Sequence, residues 1–117
     1  MKKVSELIGA ELDYWVAKAA GEMNPQLGIG GVCVVANGHT LHRYCPSTEW
    51  SHGGPIIERE KIDIEYRARQ KQWFAMIDLK DSLPREWGET CLIAAMRAYV
   101  SSKYGDSVPA DEQEENQ

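Results

Sequence analysis

The stretch "YCPSTEWSHGGPIIERE", Tyr44 to Glu60, is the most informative part of the sequence for the fold. Its prolines, hydroxyl residues and Gly-Gly-Pro run are typical of a corner, because these residue types favour turns and allow close backbone approach. Pro55 suits the first position of a helix, where its missing N–H leaves no hydrogen bond unmade. The stretch therefore predicts a corner that joins two hairpins and ends in one short helical turn, "PIIERE".

A hairpin is predicted on each side of this corner. Before it, "VCVVA" (32–36) and "LHRY" (41–44) flank "NGHT" (37–40), and Asn-Gly is the strongest short hairpin signal. After it, "IDIEYR" (62–67) alternates apolar and charged residues like a half-buried strand, and "WFAMIDL" (73–79) is expected to pair back on it. The stretches 21–31 and 80–90 are predicted to be loops.

One helix is expected near each end of the chain. Residues 6–20 repeat apolar side chains at helical spacing, with Ser5 as the expected N-cap and Gly21 as the C-terminal stop. A second apolar stripe follows Thr90, the expected N-cap, and Gly105 ends that helix. Two helices packed on one antiparallel sheet of about four strands give an α+β fold, a two-layer sandwich.

Charge is distributed unevenly along the chain. The segment 106–117 holds five of the 18 acidic residues and no Lys or Arg, which leaves 13 acidic residues to balance the 13 basic ones and puts the whole net charge of −5 in this tail. We expect one globular domain, 1–105, and an acidic disordered tail, 106–117. A neutral body is not expected to bind nucleic acids in general, and the basic residues between Arg59 and Lys71 are interpreted as a solvated surface.

The chain is expected to act in the cytoplasm and not in a membrane. No apolar run approaches the roughly 20 residues of a membrane helix, and the N-terminal stretch lacks a secretory apolar core. The three cysteines, Cys33, Cys45 and Cys91, follow no disulfide framework and are expected to be free thiols.

A metal site is the sharpest chemical hypothesis. The candidate ligands are Cys33, His39, His42 and Cys45. Their residue types suit zinc, but the spacing C-x5-H-x2-H-x2-C is not that of a finger or ribbon, and side chains alternate between the faces of a strand. No metal and no cofactor is therefore predicted.

Hydrolysis is the second chemical hypothesis. Ser47, Ser51 and His52 supply hydroxyls and an imidazole, and Cys91 starts the last helix. A nucleophile elbow would need G-x-S-x-G between a strand and a helix, and the sequence contains none. The sequence therefore favours a non-catalytic role.

A recognition surface on the corner is the third hypothesis. Trp and Tyr are enriched at interface hot spots, and glycines allow a partner's backbone to approach. The candidate binding residues are Tyr44, Ser47, Thr48, Trp50, His52, Gly53, Gly54, Glu58 and Arg59. The alternative is structural: Trp50 packs into the core, and Gly-Gly-Pro only directs the chain. Both interpretations stay open at this point.

Three motifs occur in order: "VSELIGAELDYWVAKAAG" (4–21), "PSTEWSHGGPIIERE" (46–60) and "LIAAMRAYVSSKYGD" (92–106). Together they resemble the NinX-like family of small bacteriophage and prophage proteins over most of residues 3–106. Tyr14, Glu49 and Lys61 depart from the family pattern, and residues 66–88 match it poorly. The family motif at the corner centres on Ser47, Thr48, Trp50, Gly53, Gly54, Pro55 and Glu58.

The resemblance implies a phage accessory protein that acts inside the bacterial host, and it implies no reaction. We therefore expect a non-catalytic protein-interaction module in the host cytoplasm, which binds a host protein, a phage protein or a second copy of itself. The alternative is a small enzyme or ligand-binding domain that uses the Tyr44–Glu58 corner.

Overall fold

The computed structural model describes residues 1–28 and 30–109. Within them lie the helices α1 (Gly9–Ala20), α2 (Trp50–Glu60) and α3 (Cys91–Tyr104). The strands are β1 (Lys2–Lys3), β2 (Met23–Leu27), β3 (Cys33–Asn37), β4 (Thr40–Arg43), β5 (Asp63–Arg67), β6 (Gln72–Met76), β7 (Arg85–Gly88) and β8 (Ser107–Val108).

The strands form three small antiparallel sheets, β1–β8, β2–β3–β4 and β5–β6–β7. The α+β class is confirmed, whereas the single sheet of about four strands in a two-layer sandwich is wrong. Two of the extra strands, β2 and β7, fall in segments that were predicted to be loops. Both are edge strands, and β2 contains Pro25, which an edge tolerates because its N–H need not join a ladder.

The burial of α3 explains why one sheet is not enough. Besides its predicted stripe, α3 buries Ala94, Ala95 and Ala98. A helix that buries side chains around most of its circumference must be covered on more than one side. The sheet β5–β6–β7 packs against α3, α1 and α2 pack on it as well, and the sheet β2–β3–β4 packs on α1. The core therefore has α3 at its centre.

Both predicted hairpins are confirmed. In the first, Asn37 pairs with Thr40 across the turn, and Val35 lies opposite His42. In the second, the pairing runs from Asp63–Met76 to Arg67–Gln72. Local turn signals and alternation were enough to place these strands.

Three of the four predicted ends of the terminal helices are confirmed. Gly21 ends α1 in the left-handed conformation, with φ 76°, and Gly105 follows α3. The hydroxyl of Thr90 accepts a hydrogen bond from the Ile93 N–H at 3.1 Å and caps α3. The start of the first helix is wrong: Val4–Glu6 forms a 3-10 turn, and Ile8 precedes α1 in place of a Ser5 cap.

The helical part of the corner is longer than predicted. The helix α2 begins at Trp50, five residues before Pro55, so Pro55 lies inside the helix instead of at its first position. Pro55 is on the exposed side, where the carbonyl that loses its N–H partner can be hydrated. The corner is therefore mainly an 11-residue helix.

The chain continues to pack beyond the predicted domain boundary at residue 105. Ser107 and Val108 pair with Lys3 and Lys2, and Val108 is fully buried. The single-domain prediction itself stays a prediction. The rest of the predicted tail, 110–117, lies outside the described residues.

Candidate functional site

The candidate site is built on α2 and the turn before it. The carbonyl of Cys45 accepts hydrogen bonds from the N–H groups of Thr48 and Glu49, at 3.1 and 2.8 Å. The carbonyl of Glu49 then accepts from Gly53 at 2.9 Å, which starts the helix. This turn fixes the direction in which α2 leaves the first hairpin.

The inward side of the turn is held by a buried carboxyl group. Asp13 of α1 is 4% exposed, and its Oδ1 accepts a hydrogen bond from the Ser47 backbone N–H at 2.8 Å. Burial raises the pKa of the Asp13 carboxyl, and the nearby hydroxyl and backbone N–H of Ser47 oppose that shift. Asp13 therefore ties the corner to α1.

The hydroxyl of Ser47 is buried with this carboxyl group. Ser47 is 1% exposed, and its Oγ has no hydrogen-bond partner within residues 1–28 and 30–109, although it lies near enough to Asp13 to lower that pKa. A substrate cannot reach a hydroxyl at this depth. Ser47 is therefore a positioning residue and is unsuited to act as a nucleophile.

Gly53 allows α2 to lie directly on the preceding turn. A Cβ at this position would overlap the carbonyl oxygen of Pro46 and lie 2.7 Å from Cδ2 of Leu92 on α3. At Gly54 the nearest atom would be Cε3 of Trp50, at an ordinary 3.8 Å. The close approach thus requires the first glycine of the pair only.

His52 and Tyr44 are predicted site residues that contact each other. Their rings stack with centroids 5.7 Å apart and an interplanar angle of 17°. Nδ1 of His52 accepts a hydrogen bond from the Cys45 N–H at 2.9 Å, so a neutral His52 carries its proton on Nε2. Burial, then the nearby Glu22 carboxylate, raises the pKa of the Tyr44 phenol.

A groove of about 590 Å³ opens beside this stacked pair. It lies between the C-terminal end of α1 and the first hairpin. Its polar lining consists of Glu22, Asn37, His42, Arg43, Tyr44 and His52. The groove offers carboxylate, amide, imidazole and phenol groups over an apolar floor that includes Val35.

The outward side of α2 carries Trp50. Trp50 is 58% exposed, and Thr48, Ser51, Pro55 and Glu58 are exposed with it. The structural alternative, in which Trp50 packs into the core, is therefore wrong. The outward side presents one large indole among small and polar side chains.

The predicted surface is divided by the fold. Tyr44 and His52 face the groove, and Ser47 and Gly53 are buried. Arg59 is exposed and donates hydrogen bonds to Glu60 at 2.8 Å and to the Tyr99 hydroxyl at 3.3 Å, which joins α2 to α3. The nine candidate residues therefore do not form one continuous surface, and their role in binding stays a prediction.

The four candidate metal ligands do not converge. Cys33 and Cys45 are buried, whereas His39 and His42 are exposed on the first hairpin. Across the described part of the chain, no group of three or more His, Cys, Asp or Glu side chains is arranged to hold a metal. Burial raises the pKa of the Cys33 thiol to about 12, which disfavours the thiolate that a metal would require.

Cys91 does not have the character of an activated nucleophile. It begins α3, but burial raises the pKa of its thiol. A reactive thiol needs a lowered pKa.

Sequence reasoning did not identify Asp13 and Glu22. A signal for Asp13 was present, because a carboxylate beside Leu12 and three residues before Val16 interrupts the apolar face of a helix. No comparable signal marked Glu22, which reaches the groove only because α1 ends beside the first hairpin. Of the two residues, Asp13 is therefore the one that the sequence could have identified, because a carboxyl group on an apolar helix face is unusual.

The fold and this corner define a small α+β protein whose middle helix is pinned on one side and exposed on the other. The family model described as Bacteriophage P22, NinX matches residues 3–103. The chain therefore belongs to this bacteriophage NinX family, and membership fits a phage accessory protein. No curated protein matches the chain. Within the described residues, no helix is long and apolar enough to cross a membrane.

Proposed function

We propose that this phage accessory protein is a non-catalytic protein-interaction module in the cytoplasm of the bacterial host, and that Trp50 is its main contact residue. The 58% exposure of Trp50 supports this most strongly. The other three tryptophans, Trp15, Trp73 and Trp87, are buried or half-buried. Tryptophan is among the residue types most enriched at binding hot spots.

The rigid support of Trp50 strengthens the proposal. Trp50 is the first residue of α2, and the turn before it is fixed by the hydrogen bond from Ser47 to Asp13. Gly53 then holds the first turn of the helix against Pro46. A side chain on a fixed backbone loses less conformational freedom when a partner binds it.

The side chains around Trp50 define the partner's chemistry. Thr48 and Ser51, two residues before and one residue after Trp50, provide exposed hydroxyls. Glu58 lies eight residues further along the helix, about 12 Å away at 1.5 Å per residue, and has no ion-pair partner in residues 1–28 and 30–109. The fitting partner is a protein with an apolar cleft for the indole and a basic side chain that reaches Glu58.

The test compares Trp50→Ala with Leu41→Ala, which removes an equally exposed apolar side chain from β4 (Leu41 is 62% exposed). A partner captured from phage-infected host cells is purified, and its affinity for each variant is measured by calorimetry. We expect Trp50→Ala to weaken binding about tenfold or more and Leu41→Ala to leave it unchanged. Equal affinities for both variants would refute the proposed surface.

Self-association is the same proposal with a second copy as the partner. Sedimentation measurements over a range of protein concentrations reveal it. An association that persists unchanged in Trp50→Ala would place the contact elsewhere on the molecule.

A ligand-binding function is the second candidate, and the groove beside Tyr44 favours it. Pockets for small molecules combine an apolar floor with a few convergent polar groups, and the groove holds Glu22, His42 and His52 around Val35. Thermal unfolding in the presence of a panel of amino acids, nucleosides and organic acids tests this function. A ligand that stabilises the wild type and Glu58→Gln, but not Glu22→Gln, supports it, and a panel without such a ligand counts against it.

A further inference from the structure

An aromatic and cationic surface lies at the tip of the second hairpin, away from the corner. Phe74 on β6 and Trp87 on β7 are opposite each other, with ring centroids 4.9 Å apart. The guanidinium of Arg67 lies over the Phe74 ring at 4.8 Å. These three residues are called the aromatic platform below.

The platform is on the face of the sheet that points away from α3. Side chains alternate along a strand, and Ala75, the residue after Phe74, is fully buried on the face against α3. Glu65, Phe74 and Trp87 form one row across the other face. Core packing therefore does not explain two aromatic rings in that row, and both stay half-buried beside solvent.

The turn between β5 and β6 adds cations to the platform. Arg67 forms an ion pair with Glu65. Arg69 and Lys71 are exposed and have no ion-pair partner within residues 1–28 and 30–109. Glu89, which follows Gly88, the partner of Trp73, adds a further carboxylate at this end. Cations thus outnumber carboxylates locally, although the body as a whole is neutral.

We propose that the aromatic platform and this turn bind single-stranded nucleic acid, with bases stacked on Trp87, Phe74 and the Arg67 guanidinium and phosphates held by Arg69 and Lys71. Aromatic and arginine planes stack on any base, and a nearby cationic stretch follows the backbone. This site is separate from the Trp50 surface and does not depend on it.

The local geometry favours single strands over duplexes. Stacking on Phe74 or Trp87 needs a base whose face is free, and the bases of a duplex are already stacked on each other. Two unpaired cations and one stacked Arg can neutralise only a few phosphates, too few to hold a duplex by its backbone alone. We expect the site to cover a few nucleotides and its affinity to depend only weakly on salt concentration.

The experiment titrates the full-length protein into labelled oligo-dT and oligo-U, with a labelled duplex of equal length as the comparison, and measures fluorescence anisotropy at several salt concentrations. We expect both single strands to bind more tightly than the duplex and to quench tryptophan emission. The two single strands show whether the site prefers DNA or RNA. No saturable binding to either strand at low salt would overturn the proposal.

Two variants locate the binding on the hairpin. The double variant Arg69→Glu, Lys71→Glu should weaken binding. It should also reduce the slope of log K against log salt concentration by about 1.4, because each of the two lost phosphate contacts on a single strand contributes ~0.7. The matched control, Lys3→Glu with Lys80→Glu, makes the same change in net charge at two other exposed lysines. Equal losses in both double variants would mean a nonspecific charge effect and would refute the site.

Phe74→Leu tests the stacking while an apolar side chain stays at that position. We expect about tenfold weaker binding with an unchanged salt slope, and circular dichroism checks the fold. Unchanged affinity in Phe74→Leu would reject the platform. Trp50→Ala should bind the oligonucleotides like the wild type, which separates this site from the proposed protein contact.

Discussion

The two sides of α2 and its preceding turn meet opposite surroundings. The inward side places Ser47 and Gly53 against Asp13, Pro46 and Leu92, with backbone atoms in close contact. The outward side exposes Trp50 to solvent. A short motif can therefore combine residues that specify the fold with a residue that is available for binding, and one substitution on each side can tell them apart.

Among changes at the corner, the largest effect is expected for Gly53→Ala on its inward side. The added methyl group would overlap the Pro46 carbonyl oxygen, which is backbone and cannot turn away. We expect the free energy of unfolding to fall by about 3 kcal/mol, measured by urea denaturation. The matched variant Gly54→Ala should instead gain about 0.5–1 kcal/mol, because alanine favours a helix interior and the nearest atom would be 3.8 Å away. Similar losses in both variants would contradict the close approach at Gly53.

Asp13→Ala should be the next most damaging change. It leaves the buried N–H of Ser47 without its acceptor, which costs about 2 kcal/mol of unfolding free energy. Asp13→Asn retains a carbonyl oxygen at the same position and should lose less. If Asp13→Asn and Asp13→Ala lose the same free energy of unfolding, the hydrogen bond to Ser47 does not stabilise the turn.

Asp13 should also make stability depend on pH. Its pKa is raised above the ordinary value of 3.8 by burial, so the folded chain binds this proton more tightly than the unfolded chain. The contribution of Asp13 is then fully present below pH 3.8 and is lost as the pH rises through the raised folded value. Urea denaturation across this range should show Asp13→Asn gaining stability relative to the wild type as the pH rises. A difference that stays constant with pH would contradict the raised pKa.

The smallest effect on stability is expected on the outward side. Trp50→Ala should change the free energy of unfolding by less than about 0.5 kcal/mol, because most of the side chain is exposed. The matched change at the buried Trp15, Trp15→Ala, should cost about 3–5 kcal/mol. A large loss of stability in Trp50→Ala would mean that the outward side also maintains the fold.

Short-range sequence signals correctly predicted those turns and helix ends that are set by residues adjacent in the sequence. Asn37-Gly38 set the first hairpin, Gly21 ended α1 and Thr90 capped α3. The start of α2 was missed because Pro55 was assigned to the first helical position, although an exposed helix side tolerates it further in. The edge strands β2 and β7 were missed because neither alternates clearly between apolar and polar residues.

The candidate site was only partly predictable for a related reason. Tyr44, Trp50 and His52 were found because they stand together in one unusual stretch. Asp13 and Glu22 come from α1, and the platform joins Arg67 and Phe74 to Trp87, which lies more than ten residues further along the chain. Which of these residues lie together depends on which elements pack against each other, and a local sequence pattern does not contain that information.

The sequence by itself determined the α+β class, both hairpins, the stop residues of both terminal helices, the N-cap of α3, and the NinX family, because each rests on short-range spacing or on the motifs themselves. Only the tertiary structure decided that three small sheets surround α3, that Ser47 and Gly53 face inward, and that Trp50 faces solvent. The physical reason is that α3 buries nearly every residue from Leu92 to Val100 and must be covered on several sides, and this covering sets which side of α2 is buried.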